Sequence, residues 1–204
     1  MAMKRFPITN VNDIVGAYRD PDEKLYASLE LNQVAFPKTG MVVSQTPLGD
    51  AFTKGHPCEN GMWVVADKAA GAINPPAADS ANAPIGIVYT TEKEYDYMHY
   101  GLQRFGRKVK GDYPRVGLLG VGDTFTTNCL KYDMASEDAL WEALEKIDEE
   151  PLYVAIDTSS EADADNAVPA IVDEIPETGI YGKIVKFYTV PNGGKGVKYQ
   201  IMRI

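Results

Sequence analysis

Short apolar runs between turn-forming residues dominate the middle of the chain. They lie at residues 41–43, 61–66, 85–89 and 152–156, and Gly, Pro, Asn or Asp residues flank them. Runs of this length are typical of β-strands, because a helix needs ten or more residues to present a repeated apolar face. The pattern therefore predicts a chain built mainly from β-strands.

The best-organised segment is a strand, a turn and a second strand. We predict strands at residues 115–121 and 124–130, joined at Gly122 and Asp123. The side chain of Asp123 is expected to cap this turn. Gly120 and Gly122 do not predict a dinucleotide site, because the third glycine of that motif and the helix that should follow it are missing.

The end of the chain predicts a β-hairpin. Residues 182–190 and 197–204 are rich in β-forming residues, and Pro191-Asn192-Gly193-Gly194 lies between them. Asn-Gly between two such runs is one of the strongest short-range hairpin signals.

One helix is clearly predicted, at residues 137–148. Ser136 is a good N-cap, and acidic side chains follow it in the first turn. Pro151 is expected to end the helix. A single apolar stripe consists of Leu140, Trp141, Leu144 and Ile147.

These elements predict two regions. Residues 1–40 form an extended N-terminal arm, and residues 41–204 form a β-rich globular domain. The fold class is mainly β (α+β), with an antiparallel barrel or sandwich-like core and one helix. Residues 69–84 are small, contain prolines and lack a period, which predicts a long surface loop.

Composition and charge limit the binding partners that the chain can have. The hydrophobic fraction is 45% and the net charge is −9. The negative net charge argues against sequence-independent nucleic-acid binding. Four basic residues near position 107 are interpreted as a charged loop rather than a nucleic-acid patch; they are Arg104, Arg107, Lys108 and Lys110. The chain has no apolar run of ~20 residues, so we expect no membrane partner. Because no apolar segment follows the basic N-terminal residues, we expect the protein to be made and kept in a cytosol.

Metal chemistry has two weak candidates. His56, Cys58 and Glu59 lie within four residues, and Cys129 and His99 are the remaining soft or imidazole ligands. Their spacing matches no zinc signature, so a polar turn is favoured. The two cysteines are predicted to be free, partly buried thiols, although pairing stays open.

The second candidate is an acidic stretch. It comprises Asp157, Glu161, Asp163 and Asp165. An EF-type loop that starts at Asp157 would need Gly at its sixth position and Glu at its twelfth, where Ala162 and Val168 stand. A solvated loop is favoured, and we predict no metal.

Catalytic chemistry has no recognisable motif. Neither Ser44 nor Ser80 lies in a Gly-x-Ser-x-Gly context, and we predict no enzyme and no cofactor. A carboxylate pair remains open as a weaker alternative. Aromatic side chains offer a possible carbohydrate platform, although core or interface positions are more usual. They are Trp63, Tyr95, Tyr97 and Tyr100.

Several segments resemble the auxiliary head proteins of tailed bacteriophages, the decoration or cement proteins that bind a mature capsid. They lie at residues 85–96, 101–105, 113–116, 122–128 and 185–193. The likeness covers roughly residues 60–130 and 180–204. Residues 1–40 and the acidic insert have no counterpart in it.

The resemblance implies a non-enzymatic virion protein. It would bind the major capsid protein on the outer capsid surface, stabilise the lattice and form a homo-oligomer, often a trimer. Its location would be the virion, after assembly in the host cytoplasm. The alternative is a carbohydrate-binding or receptor-binding β-domain.

Overall fold

Strand pairing organises the chain in a computed structural model. The structure describes residues 3–6, 29–33, 42–43, 45–77, 80, 83–89, 107–156, 163–189 and 195–204. These residues form fourteen β-strands and one α-helix, which confirms the predicted mainly β (α+β) class. Of the predicted arm, residues 3–6 and 29–33 are described, and the rest of the proposed 1–40 region lies outside the described residues.

The larger sheet has eight strands. Their order is β1-β10-β12-β11-β13-β14-β9-β2. The bounds are β1 Lys4–Arg5, β2 Leu29–Gln33, β9 Thr124–Thr127, β10 Lys131–Tyr132, β11 Tyr153–Ala155, β12 Ala170–Val172, β13 Tyr181–Thr189 and β14 Lys195–Arg203.

A short connection shows that this sheet is curled. β9 and β10 lie five strand spacings apart in the sheet order, which is ~24 Å in a flat sheet. Only residues 128–130 join them, and a chain of that length spans at most ~14 Å. The sheet therefore bends until its two ends approach, in agreement with the predicted barrel-like core.

One pair departs from the predicted antiparallel arrangement. β10 and β12 run parallel, and the chain makes a long crossover through the helix and β11 between them. A crossover of a dozen residues or more is what parallel neighbours require.

The second sheet has four antiparallel strands. Their order is β3-β8-β6-β5, with bounds β3 Val42–Val43, β5 Trp63–Val65, β6 Ile85–Val88 and β8 Val116–Leu118. A Cβ atom on Gly86 would lie 2.4 Å from Cγ1 of Val116, so β6 and β8 approach this closely only with glycine there. A separate two-stranded ribbon pairs β4 Cys58–Glu59 with β7 Arg107–Lys108.

The helix α1 spans Glu137–Glu145. Its predicted N-cap is confirmed, because the Ala139 amide donates to the Ser136 hydroxyl at 3.1 Å. The predicted end at residue 148 is wrong. The Lys146 amide bonds to the Ala143 carbonyl instead, and the turns that follow carry Leu152 into the core, where it is buried.

Two buried clusters fill the interior. The first lies against the larger sheet and α1, and includes Trp63, Leu140 and Tyr199. The second lies beside the smaller sheet and includes Ile73. The predicted surface loop is therefore wrong at Ile73, whose side chain is fully buried in this cluster and whose amide donates to the Pro47 carbonyl.

Candidate functional site

The structure separates the three residues of the first metal candidate. His56 is exposed in a turn, whereas Cys58 and Glu59 are buried on β4. The carboxylate of Glu59 accepts a hydrogen bond from the Arg5 guanidinium at 3.2 Å, across β1 and β4. An ion pair with little solvent access needs both partners, because a lone buried charge is strongly unfavourable. Glu59 is thus placed as a structural partner of Arg5, and His99 lies outside the described residues.

The two thiols are free and buried. Burial raises the pKa of Cys58 well above its ordinary value, and it raises the pKa of Cys129 to about 12 although Arg5 acts in the opposite direction. A thiol that stays protonated is a poor nucleophile and a poor metal ligand. The prediction of free thiols is confirmed, and their burial is complete rather than partial.

Folding brings together members of both metal candidates. One possible ligand atom each from His56, Asp163 and Asp165 lies within 4.8 Å of the others, and Nδ1 of His56 is 3.7 Å from Oδ1 of Asp165. All three residues are exposed, and an exposed pair of this kind contributes ~0–1 kcal/mol to stability. Sequence spacing did not reveal the grouping, and Asp157 and Glu161 lie outside the described residues.

The two aspartates of this group stand on one short structure. Asp163 caps a 3₁₀ turn at Ala164–Ala167 and accepts a hydrogen bond from the Asp165 amide. Ala164 and Ala167 are buried in the second cluster. Within the described part of the acidic stretch, the carboxylates of Asp163 and Asp165 are solvated, as predicted, and the buried alanines beside them anchor the turn.

The Gly-Asp turn has the predicted chemistry. Asp123 is buried, and its carboxylate accepts a hydrogen bond from the Gly120 amide at 2.9 Å. Gly122 adopts a φ of +95°, a conformation that favours glycine. This segment shapes a turn between β8 and β9.

The basic cluster and the aromatic platform have different outcomes. Lys110 is exposed and pairs with Asp50, whereas Arg107 and Lys108 form strand β7, so the predicted charged loop is wrong at those two residues. Arg104 lies outside the described residues. Trp63 is 1% exposed and donates to the Tyr199 hydroxyl at 3.0 Å, so the favoured core position is confirmed and Trp63 cannot belong to a carbohydrate platform. The packing of Trp63 between two sheets was not visible in its local sequence. Tyr95, Tyr97 and Tyr100 also lie outside the described residues.

Sequence analysis missed a group of exposed apolar side chains at one end of the larger sheet. We call it the apolar end; its members are Val121, Ile175, Met202 and Ile204, each between 44% and 65% exposed. The signal in the sequence was weak, because the four residues come from three segments that are far apart along the chain.

Backbone hydrogen bonds bring the apolar end together. The Gly122 amide donates to the Ile201 carbonyl at 2.8 Å, so the β8–β9 turn lies beside the end of β14. The Arg203 guanidinium donates to the carbonyls of Pro176 and Gly179 at 2.6 and 2.8 Å. This arrangement can bind an apolar surface.

Comparison with known proteins gives no relative. No family, no curated protein and no solved structure matches the chain. Within the described ranges, no helix has the length and apolar character needed to cross a membrane.

Proposed function

We propose that this chain is a structural protein of a bacteriophage virion, which binds the outer capsid surface and stabilises its lattice. The observation that carries the proposal is the apolar end. Its four exposed apolar side chains stand on three segments that backbone and arginine hydrogen bonds hold side by side, and neighbouring exposed apolar groups mark interaction surfaces. The major capsid protein is the proposed partner.

The origin of the edge strands supports this role. β1 and β2 are the terminal strands of the larger sheet, and both come from the first 33 residues. Strand addition to a sheet edge is a common mode of protein recognition, in which main-chain hydrogen bonds provide affinity. β1 and β2 pair with β10 and β9 of the same chain, and each forms an edge of the described sheet to which a strand of a neighbouring subunit can be added.

The resemblance to phage decoration proteins supplies the biological setting. It places the protein on the virion after assembly in the host cytoplasm, as a homo-oligomer. The proposal assigns no catalytic, cofactor-binding or metal-binding residue. Glycan binding is not proposed, because Trp63 is buried and the tyrosines of the predicted platform lie outside the described residues.

Binding to capsids that lack the protein tests the proposal. Purified wild-type protein is expected to sediment with mature capsids. The double variant Val121→Asp/Met202→Asp is expected to bind at least tenfold more weakly, since leaving one apolar side chain unburied costs about 1.5–3 kcal/mol.

The matched control is Tyr113→Asp, which adds a charge at a side chain 58% exposed outside the apolar end. It should leave capsid binding unchanged. The proposal is wrong if the wild-type protein does not sediment with capsids. Equal losses in Tyr113→Asp and in the double variant would contradict the role of the apolar end.

A further inference from the structure

The β13–β14 hairpin has an unusual charge for this chain. Its two strands contain five basic residues and no acidic residue, whereas the whole chain has a net charge of −9. The five are Lys183, Lys186, Lys195, Lys198 and Arg203. Positive charge is therefore concentrated on one element of an acidic protein.

Three of these side chains form what we call the lysine face, comprising Lys183, Lys186 and Lys198. Lys186 and Lys198 are direct cross-strand partners. Their ammonium groups lie 4.9 and 5.4 Å from the centre of the same Tyr188 ring. Like charges directly opposite each other on a sheet are destabilising, and a bound anionic group relieves that repulsion.

The other two basic residues already have local roles. Arg203 donates to two carbonyls, and Lys195 lies over the rings of Phe187 and Trp141. By contrast, no member of the lysine face forms an ion pair with any carboxylate in the described part of the chain.

A complementary surface exists on the same molecule. Residues 137–150, which we call the acidic segment, contain seven acidic residues and one lysine. The acidic residues are Glu137, Asp138, Glu142, Glu145, Asp148, Glu149 and Glu150, and all are exposed. None of them forms an ion pair with a described residue.

The two surfaces of one molecule lie on opposite sides of the sheet. Trp141 of α1 stacks on Phe187 at 5.4 Å, which places the helix on the side of the sheet to which Phe187 points. Neighbouring residues on a strand point to opposite sides, so Lys186 and Tyr188 point away from the helix. The acidic segment is therefore separated from the lysine face of its own chain.

We propose that the lysine face of one copy docks on the acidic segment of a second copy. Charge complementarity between two different surfaces of the same chain produces a head-to-tail contact, which closes into a ring when the rotation between copies permits. Lysines beside an aromatic ring also suit single-stranded nucleic acid, but the net charge of −9 repels a polyanion. This inference does not depend on capsid binding.

Sedimentation velocity of the purified chain tests the proposal. In a buffer of low ionic strength the mass is expected to exceed the 22.3 kDa of one chain and to rise with concentration. At ~1 M salt, where charges are screened beyond ~3 Å, it should fall towards one chain. A monomer at every concentration in low salt overturns the proposal.

Charge reversal identifies the two surfaces. Lys186→Glu/Lys198→Glu and Glu142→Lys/Glu145→Lys should each weaken self-association at least tenfold. An equimolar mixture of the two variants should associate again, since each still carries one native surface. The control Lys54→Glu/Lys110→Glu makes the same charge change as Lys186→Glu/Lys198→Glu, at exposed positions elsewhere. It should associate like the wild type.

Three results contradict the proposal: unchanged association of both reversed variants, equal weakening by the control, or no association in the mixture. A fluorescent single-stranded oligothymidine separates the rival partner. Binding of this probe by the wild type, lost in Lys186→Glu/Lys198→Glu while self-association persists, would assign the lysine face to nucleic acid and overturn docking between copies. Because no capsid is present, failure here is distinct from failure of the proposed function.

Discussion

The two faces of the β13–β14 hairpin differ in burial and in chemistry. On the inner face, Ile184, Val197, Tyr199 and Ile201 are at most 1% exposed. On the outer face, Lys186 and Lys198 lie opposite each other on the same two strands and beside the ring of Tyr188. The comparison teaches that one backbone element serves two purposes: its inner face stabilises the fold, and its outer face is available to a partner.

A β-bulge makes this division possible. The register shifts between Ile184 and Lys186, so Val185 and Lys186 are both exposed, and Phe187 packs against the core. Strict alternation from the buried Ile184 would direct Lys186 inward and Phe187 outward. The extra residue therefore places the lysine opposite Lys198 on the outer face.

The largest expected effect follows from removing bulk on the inner face. Ile201→Ala leaves a cavity beside fully buried neighbours and should lower the free energy of unfolding by about 2–5 kcal/mol. Denaturant titration measures this loss. The adjacent Met202→Ala, at a side chain 44% exposed, should change it by less than ~0.5 kcal/mol. Similar losses in both variants would contradict the division between the faces.

The next effect concerns the polar contact inside the core. Tyr199→Phe removes the hydroxyl that accepts from Nε1 of Trp63 and leaves a buried donor without a partner. We expect a loss of about 1–3 kcal/mol in the free energy of unfolding. Tyr188→Phe makes the same chemical change on the outer face and should stay within ~0.5 kcal/mol of the wild type. If Tyr199→Phe has the same free energy of unfolding as the wild type, this hydrogen bond makes no net contribution to stability.

Alkaline pH should destabilise the protein through the inner face. Burial raises the pKa of Tyr199 above its ordinary value of 10.0, so the unfolded chain releases this proton first. The contribution of the protonated Tyr199 to the free energy of unfolding is complete below pH 10, and it is lost as the pH rises through the folded-state pKa. At pH 11 the loss is about 1.4 kcal/mol.

Denaturant titrations between pH 9 and pH 11 test this linkage. Tyr199→Phe should flatten the decline, while Tyr188→Phe should leave it as in the wild type. The buried Cys129, whose pKa is raised from 9.0 to about 12, contributes a decline of the same sign that remains in both variants. Identical slopes in all three proteins would exclude Tyr199 as a source.

The smallest effect is expected on the outer face. Lys186→Gln removes the like charge opposite Lys198 and should raise the free energy of unfolding by no more than ~0.5 kcal/mol. The gain should shrink in high salt. Lys54→Gln, at an exposed turn position, serves as the control. A clear loss of stability in Lys186→Gln would mean that this lysine supports the fold.

Local chemistry explains which features could be predicted from the sequence. The hairpin, the Ser136 cap and the Asp123 turn each depend on residues that are neighbours along the chain. The helix end at Glu145 was missed, because the requirement to bury Leu152 is not part of the local pattern. The predicted hairpin turn, residues 191–194, lies outside the described residues.

Contacts between distant segments account for the features that could not be predicted. The Arg5–Glu59 pair joins residues 54 positions apart, and His56 meets Asp165 only after both clusters are packed. The sequence gives one indication of the lysine face, because neither hairpin strand contains an acidic residue. Its position beside the aromatic ring depends on the bulge, which alternation alone does not reveal.

The stability of DNA-filled phage capsids that lack this protein tests the central claim most directly. The temperature at which they release DNA would be measured with and without saturating protein. We expect a higher release temperature with the wild-type protein and little change with Val121→Asp/Met202→Asp. An unchanged release temperature at saturating wild-type protein would contradict a role in stabilising the lattice.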